Sequence, residues 1–117
     1  MQQAEHDARN QMAELCASLY ARRFSVGTAG NVPARLEDGI LMTPANATLG
    51  GIHPEEIAKI DRSGNHVSGG KPAKEVFLHQ AFYETWPQAG VVVHLHSTWA
   101  TALSCLEDTD PDDCIPR

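Results

Sequence analysis

The sequence predicts a mixed α/β domain whose strands pair mainly antiparallel. Three observations carry that expectation. Apolar residues recur at helical spacing near the N-terminus. Short apolar runs then flank compact Gly-containing turns. A run of valines, Val91-Val92-Val93, leads straight into His94-Leu95-His96.

Ala4, Ala8, Met12, Leu15 and Leu19 recur every three to four residues, which places them on one stripe of a first helix of about five turns. Phe24-Ser25-Val26-Gly27 ends it, and Thr28-Ala29-Gly30-Asn31 follows as a turn of small residues. Residues 32–36 and 39–43 read as strands around a Glu37-Asp38-Gly39 turn, a hairpin. Residues 44–51 read as loop. Pro54-Glu55-Glu56 has the form of a helix start, with proline first and acids in the first turn. Residues 57–61 and 65–67 form a second hairpin around Ser63-Gly64. Ser68-Gly69-Gly70-Lys71-Pro72 then opens a helix over 73–85, which Pro87 closes. Residues 91–96 are expected to be a buried central strand, because an uninterrupted valine run suits a strand covered on both faces. A helix over 97–106 follows, and then an acidic, turn-rich tail.

Composition narrows the function classes. The 117 residues suffice for one small domain. The net charge of -6, with no Lys/Arg cluster, argues against nucleic acid as the partner. No apolar stretch approaches the roughly 18 residues of a membrane helix, and the polar N-terminus lacks a signal-peptide core. Cys16, Cys105 and Cys114 are odd in number and lack CxxC spacing. They read as reduced thiols of a cytoplasmic protein, each packed as a small hydrophobe.

The residues that could carry chemistry come next. Positions two apart on a strand share a face, so His94 and His96 project side by side. Two neutral imidazoles held that way can grip a divalent metal. Carboxylates or backbone carbonyls could satisfy the same nitrogens. Glu75 stands in the first turn of the 73–85 helix, where an acid also complements the helix dipole. Free N–H groups there, with Lys74 nearby, suit a phosphate. His79 lies four residues on, on the same helix face, either a metal ligand or a packed helix histidine. Thr28-Ala29-Gly30-Asn31 and Thr43-Pro44-Ala45-Asn46 are small-residue turns of the kind that also suit phosphate oxygens.

The order of these segments is more specific than any one of them. A Thr-Ala-Gly-Asn loop, Leu41-Met42-Thr43-Pro44, Ser68-Gly69, Pro72-Ala73-Lys74-Glu75 and Val92-Val93-His94-Leu95-His96-Ser97-Thr98 appear at compact spacing. This resembles the class II aldolase/adducin family, most of all its 3-oxo-tetronate 4-phosphate decarboxylase branch, over nearly the whole chain. The resemblance implies a three-layer α/β/α fold with a mostly antiparallel central sheet. It implies a divalent metal, Zn2+ by expectation, held by His94, His96 and Glu75, with Glu75 also the general acid/base. Substrate and its phosphate would be bound by Thr28, Gly30, Asn31, Ala45, Asn46, Ala73 and Lys74. Decarboxylation of 3-oxo-tetronate 4-phosphate through a metal-stabilised enediolate is the implied reaction. A fuculose- or ribulose-phosphate type aldolase or epimerase, and a non-catalytic adducin-like interaction domain, are the alternatives.

The sequence departs from the family at Ala29 and Ala73, where a serine is frequent, and at Pro33. The Ala73 side chain offers no hydroxyl, which leaves its backbone N–H as the expected phosphate donor. A third metal histidine and a proton-donor tyrosine, implied by the resemblance, would lie beyond residue 117. Cys114-Ile115-Pro116-Arg117 reads as the start of a further element, so residues 1–117 are expected to be the N-terminal part of one domain. Alone they are expected to bind metal weakly, to be inactive and to expose apolar surface. The full-length partners implied are a phosphorylated small molecule and identical subunits in a homotetramer, with no nucleic acid and no membrane.

Overall fold

The structure, a computed structural model, describes residues 2–113. Helix α1 spans Gln3–Ala21, followed by strands β1 (Pro33–Leu36) and β2 (Gly39–Met42). Two single 3-10 turns, Leu49–Gly51 and Pro54–Glu56, lead into β3 (Ala58–Asp61) and β4 (His66–Ser68). Helices α2 (Val76–Thr85) and α3 (Thr98–Ser104) complete the described elements. The four strands form an antiparallel sheet in the order β1-β2-β3-β4. Both hairpins are therefore where the turn chemistry puts them. Leu36 pairs with Gly39, which leaves Glu37-Asp38 as a two-residue turn. In the second hairpin the Asp61 carboxylate accepts from the Ser63 and Asn65 N–H groups, which holds it below the usual carboxylate range.

Strand alternation builds three layers. Leu41 packs with Met12, Cys16, Val32, Ala34 and Leu49 under α1. Met42, its neighbour on β2, packs on the opposite face with Ala58, Ala73 and Val76. On that second face Arg35 donates to the Tyr83 carbonyl of α2 at 2.9 Å and lies over the Tyr83 ring. Helix, sheet, helix is thus the layer order, as the class II aldolase/adducin-like fold requires.

The buried stripe of α1 differs from the expected one. Glu5, Arg9, Met12 and Cys16 face inward, while Leu15 is exposed. The reason is an ion network that a purely apolar pattern does not register. Arg9, 2% exposed, binds Glu5 at 2.9 Å and donates to the carbonyls of Pro54 and Ile57 and to Ser68 Oγ. Lys59 reaches Glu5 at 2.7 Å and Asp38 at 2.8 Å. One guanidinium thus ties α1 to the turn before β3 and to β4. Burial would raise the Glu5 carboxyl, but the bonds from Lys59 and Arg9 together outweigh it and hold it below its ordinary value.

Other expectations are corrected too. Pro54 starts a single 3-10 turn rather than a helix, closed by a capping box in which His53 N–H donates to Glu56. Residues 91–94 do not form a buried central strand. They pair antiparallel with the free edge of β1 through bridges at Ala34–Val91 and Asn31–His94. No strand covers their outer edge among the described residues, and Val91 and Val93 are half exposed. Cys16 is buried, its thiol pushed up to about 11, but Cys105 is exposed rather than packed. Large apolar side chains also stand open on α2 and α3, Phe77 and Trp99 above all. Among the described residues no helix is long and apolar enough to cross a membrane. The expectations for 114–117, Cys114 included, lie outside the described residues.

Replacing Arg9 by alanine should lower stability by about 1–3 kcal/mol, because it leaves three buried or half-buried acceptors unpaired while Glu5 keeps only Lys59. Urea unfolding measures it, and a loss within a few tenths of a kcal/mol would contradict the anchor. Because Glu5 is depressed in the fold, its stabilisation is complete above its ordinary pKa. It fades as pH falls through the lower folded value. Glu5→Gln should therefore flatten the acid side of the stability profile in thermal melts.

Candidate active site

Antiparallel topology gathers the candidate residues at one end of the sheet. The 28–31 loop enters β1, the 43–46 turn leaves β2, and residues 91–94 run antiparallel to β1, so their His94 end meets Asn31. The lead-in to α2 closes the group through a bridge between Pro44 and Pro72. A cavity of about 270 Å3 opens there, lined by Thr28, Gly30, Asn31, Ala45, Asn46, Ala73, Lys74, Glu75 and His96. Every site residue expected from the sequence borders it except His94, which stands beside it behind Asn31. A larger hollow of about 650 Å3 lies between the hairpin ends and α2, away from the histidine pair and Glu75.

The junction between Asn31 and His94 is a hydrogen-bonded antiparallel pair. Asn31 N–H donates to the His94 carbonyl at 2.9 Å, and His94 N–H donates to the Asn31 carbonyl at 3.0 Å. Residues so paired place their side chains next to one another on one face. Gly30 makes this approach possible. Its φ is +85°, and a Cβ there would lie 2.9 Å from the His94 carbonyl oxygen. Ser25 holds the same loop by donating to the Ala29 carbonyl at 2.6 Å. Thr43 Oγ1 accepts from the Val32 N–H at 3.1 Å and fastens the second turn to β1. Asn46 adopts φ +58°, a left-handed geometry that asparagine tolerates.

The Asn31 amide is the centre of the polar cluster. Its Nδ2 donates to Glu75 Oε2 at 3.1 Å. Its Oδ1 accepts from His94 Nδ1 at 3.2 Å and from His79 Nε2. The His94 and His96 rings lie side by side, their centroids 5.2 Å apart. His94 is half-buried and His96 exposed. Burial pushes the His79 imidazole below its ordinary value and His94 acts in the same direction, while Glu75 opposes both.

Helix α2 begins at Val76, not Ala73, so Glu75 is the N-cap residue and makes no side-chain cap bond. Its carboxylate is instead committed to Asn31. The Ala73 N–H, expected to face phosphate, donates to the Thr43 carbonyl at 3.3 Å, and the Ala45 N–H donates to the Lys71 carbonyl. The first departs from the sequence expectation for Ala73, because the Pro44–Pro72 pairing consumes that donor. Lys74, Gly30 and Thr28 remain at the cavity wall.

Neighbouring neutral imidazoles and a carboxylate are the donor chemistry of a divalent metal site. Among the described residues no group of three such side chains converges closely enough to hold an ion. The expected trio of Glu75, His94 and His96 is thus not brought together here, because Glu75 is bonded to Asn31; only the His94 and His96 rings lie side by side. His79 and Ser25 are the residues the sequence undervalued. The signal for His79 was its four-residue spacing from Glu75; Ser25 carried none.

Comparisons with known proteins identify the family of the chain. The Class II Aldolase and Adducin N-terminal domain matches residues 10–116. The chain is 43% identical to a 3-oxo-tetronate 4-phosphate decarboxylase of Escherichia coli O6:H1, over 95% of this chain and 53% of that protein. It is 35% identical to an L-fuculose phosphate aldolase of Methanococcus vannielii, over 80% of this chain and 51% of that one. The crystal structure of Escherichia coli YgbL superposes with a TM-score of 0.85 at 39% identity, covering 92% of this chain and 53% of YgbL. The chain thus spans about half the length of the curated relatives it matches. The chain belongs to the class II aldolase and adducin family.

Proposed function

We propose that the intact protein is a metal-dependent carbon–carbon lyase acting on a phosphorylated sugar acid, and that its reaction is decarboxylation of 3-oxo-tetronate 4-phosphate. The observation that carries this reading is the Glu75–Asn31–His94 cluster beside His96, at the wall of a small polar cavity. The higher identity to a decarboxylase than to a fuculose phosphate aldolase favours the substrate class.

His94 and His96 would hold a divalent cation, Zn2+ in our reading, with Glu75 as a further ligand. Such an ion supplies Lewis-acid polarisation of substrate oxygens. The 28–31 loop, Ala45-Asn46 and Lys74 would seat the phosphate, Lys74 by charge and Thr28 by its hydroxyl. Ala73, its N–H spent, would shape the wall. In the reaction the bond between the carboxylate carbon and its neighbour breaks. Its electron pair is delocalised onto the adjacent ketone oxygen, and carbon dioxide leaves. The carbon left behind then takes up a proton, which Glu75 would relay by first accepting it from water and then passing it on. A cytoplasmic homotetramer completes the reading, with 1–117 inactive by itself.

The deciding experiment supplies the full-length protein with 3-oxo-tetronate 4-phosphate and, separately, fuculose 1-phosphate. Carbon dioxide release from the first, abolished by a chelator, is the expected result. Aldehyde products from the second alone would overturn it. Glu75→Gln should lower kcat by about 100-fold or more. His94→Ala should reduce the bound metal measured by elemental analysis.

A further inference from the structure

His79 is 1% exposed, yet its Nδ1 has no hydrogen-bond partner among the described residues. A buried unpartnered nitrogen is costly, and an apolar residue on that face of α2 would avoid the cost. Its other nitrogen explains why a histidine stands there. Nε2 meets Asn31 Oδ1, the same oxygen that meets His94 Nδ1.

Chemistry assigns the protons around this oxygen. Asn31 turns its NH2 toward Glu75, donating from Nδ2 to Oε2 at 3.1 Å. Its oxygen then faces both rings, and each ring must donate to it. His79 is thereby protonated on Nε2, which makes its orphan Nδ1 a lone pair rather than a stranded N–H. His94 is protonated on Nδ1, which leaves its Nε2 lone pair free. If Asn31 rotated by half a turn, its NH2 would face two rings and its oxygen would face a carboxylate. That arrangement sets oxygen against oxygen at Glu75.

We propose that His79 is a positioning residue: its Nε2–H, acting with the Glu75 carboxylate on the other end, holds the Asn31 amide in one orientation, and Asn31 in turn sets the Nδ1–H tautomer of His94. The Nε2 of His94 is then the nitrogen kept available to a cation. A ligand histidine whose second nitrogen is held by a hydrogen bond has its tautomer and ring plane set in advance. The consequence for metal affinity rests on the metal-site reading above; the tautomer does not.

The test uses the intact, metal-free protein and long-range 1H–15N correlation spectra of the histidine rings, recorded above the imidazole titration range. The wild type should show His94 as the Nδ1–H tautomer and His79 as the Nε2–H tautomer. His79→Phe, close in size but without a donor, should convert His94 to a mixture of tautomers. His79→Gln, which keeps an N–H near the Nε2 position, should restore the wild-type pattern. Circular dichroism establishes that each variant is folded, and if His79→Phe is not, the wild-type and His79→Gln spectra decide. In zinc titrations His79→Phe should bind about 10- to 100-fold more weakly and His79→Gln close to wild type. A wild-type His94 protonated mainly on Nε2, or a folded His79→Phe with an unchanged His94 tautomer, would overturn the proposal. A wild type with the expected tautomers and no zinc affinity would sustain it and refute the metal-site reading instead.

Discussion

The backbone pair between Asn31 and His94 is the contact on which the site depends. Two reciprocal N–H to carbonyl bonds bring a loop entering β1 against the end of the valine segment. They fix register, and register fixes which side chains share a face. A slip of one residue would carry His94 and His96 to the α1 face and break the link to Glu75. The close approach is sterically open only because residue 30 lacks a Cβ. Backbone geometry thus precedes the chemistry of the side chains.

The ion network around Arg9 serves the same end from the other side of the sheet. It holds α1 against the turn before β3, and the sheet so clamped presents β1 and β2 as a rigid floor. A buried arginine with three carbonyl or hydroxyl acceptors and a carboxylate is one of the few ways to satisfy its five donors away from water. The opposite face is less covered. Phe77 and Trp99 are open, as are Val91 and Val93 on the outer strand segment. The chain spans about half the length of the curated relatives it matches.

Much of the fold and site was legible from local rules. Turn residues located both hairpins because Glu37-Asp38 and Ser63-Gly64 have few other uses between short apolar runs. The two-residue spacing of His94 and His96 correctly placed their rings together. The α1 stripe was read in part: Ala8, Met12 and Leu19 pack on the core, but Glu5 and Arg9 count as polar until Lys59, Pro54, Ile57 and Ser68, their distant partners, are known. The Ala73 N–H was misassigned for a related reason. Its acceptor is Thr43, thirty residues earlier, and only the antiparallel meeting of 43–45 with 71–73 makes that bond.

The amino-acid sequence by itself determined the first helix, the hairpin turns, the family and the identity of the groups capable of chemistry. These follow from periodicity, φ preferences and motif order, all of which act over a few residues. Tertiary structure alone decided how the groups are used. It turned Asn31 from an open loop amide into the link among Glu75, His79 and His94, and Glu75 from a dipole-facing acid into its partner. It also placed the valine segment at an edge rather than the centre. Hydrogen bonds between residues distant in sequence have no local signature, because each is set by register and layer packing, which only the folded chain possesses.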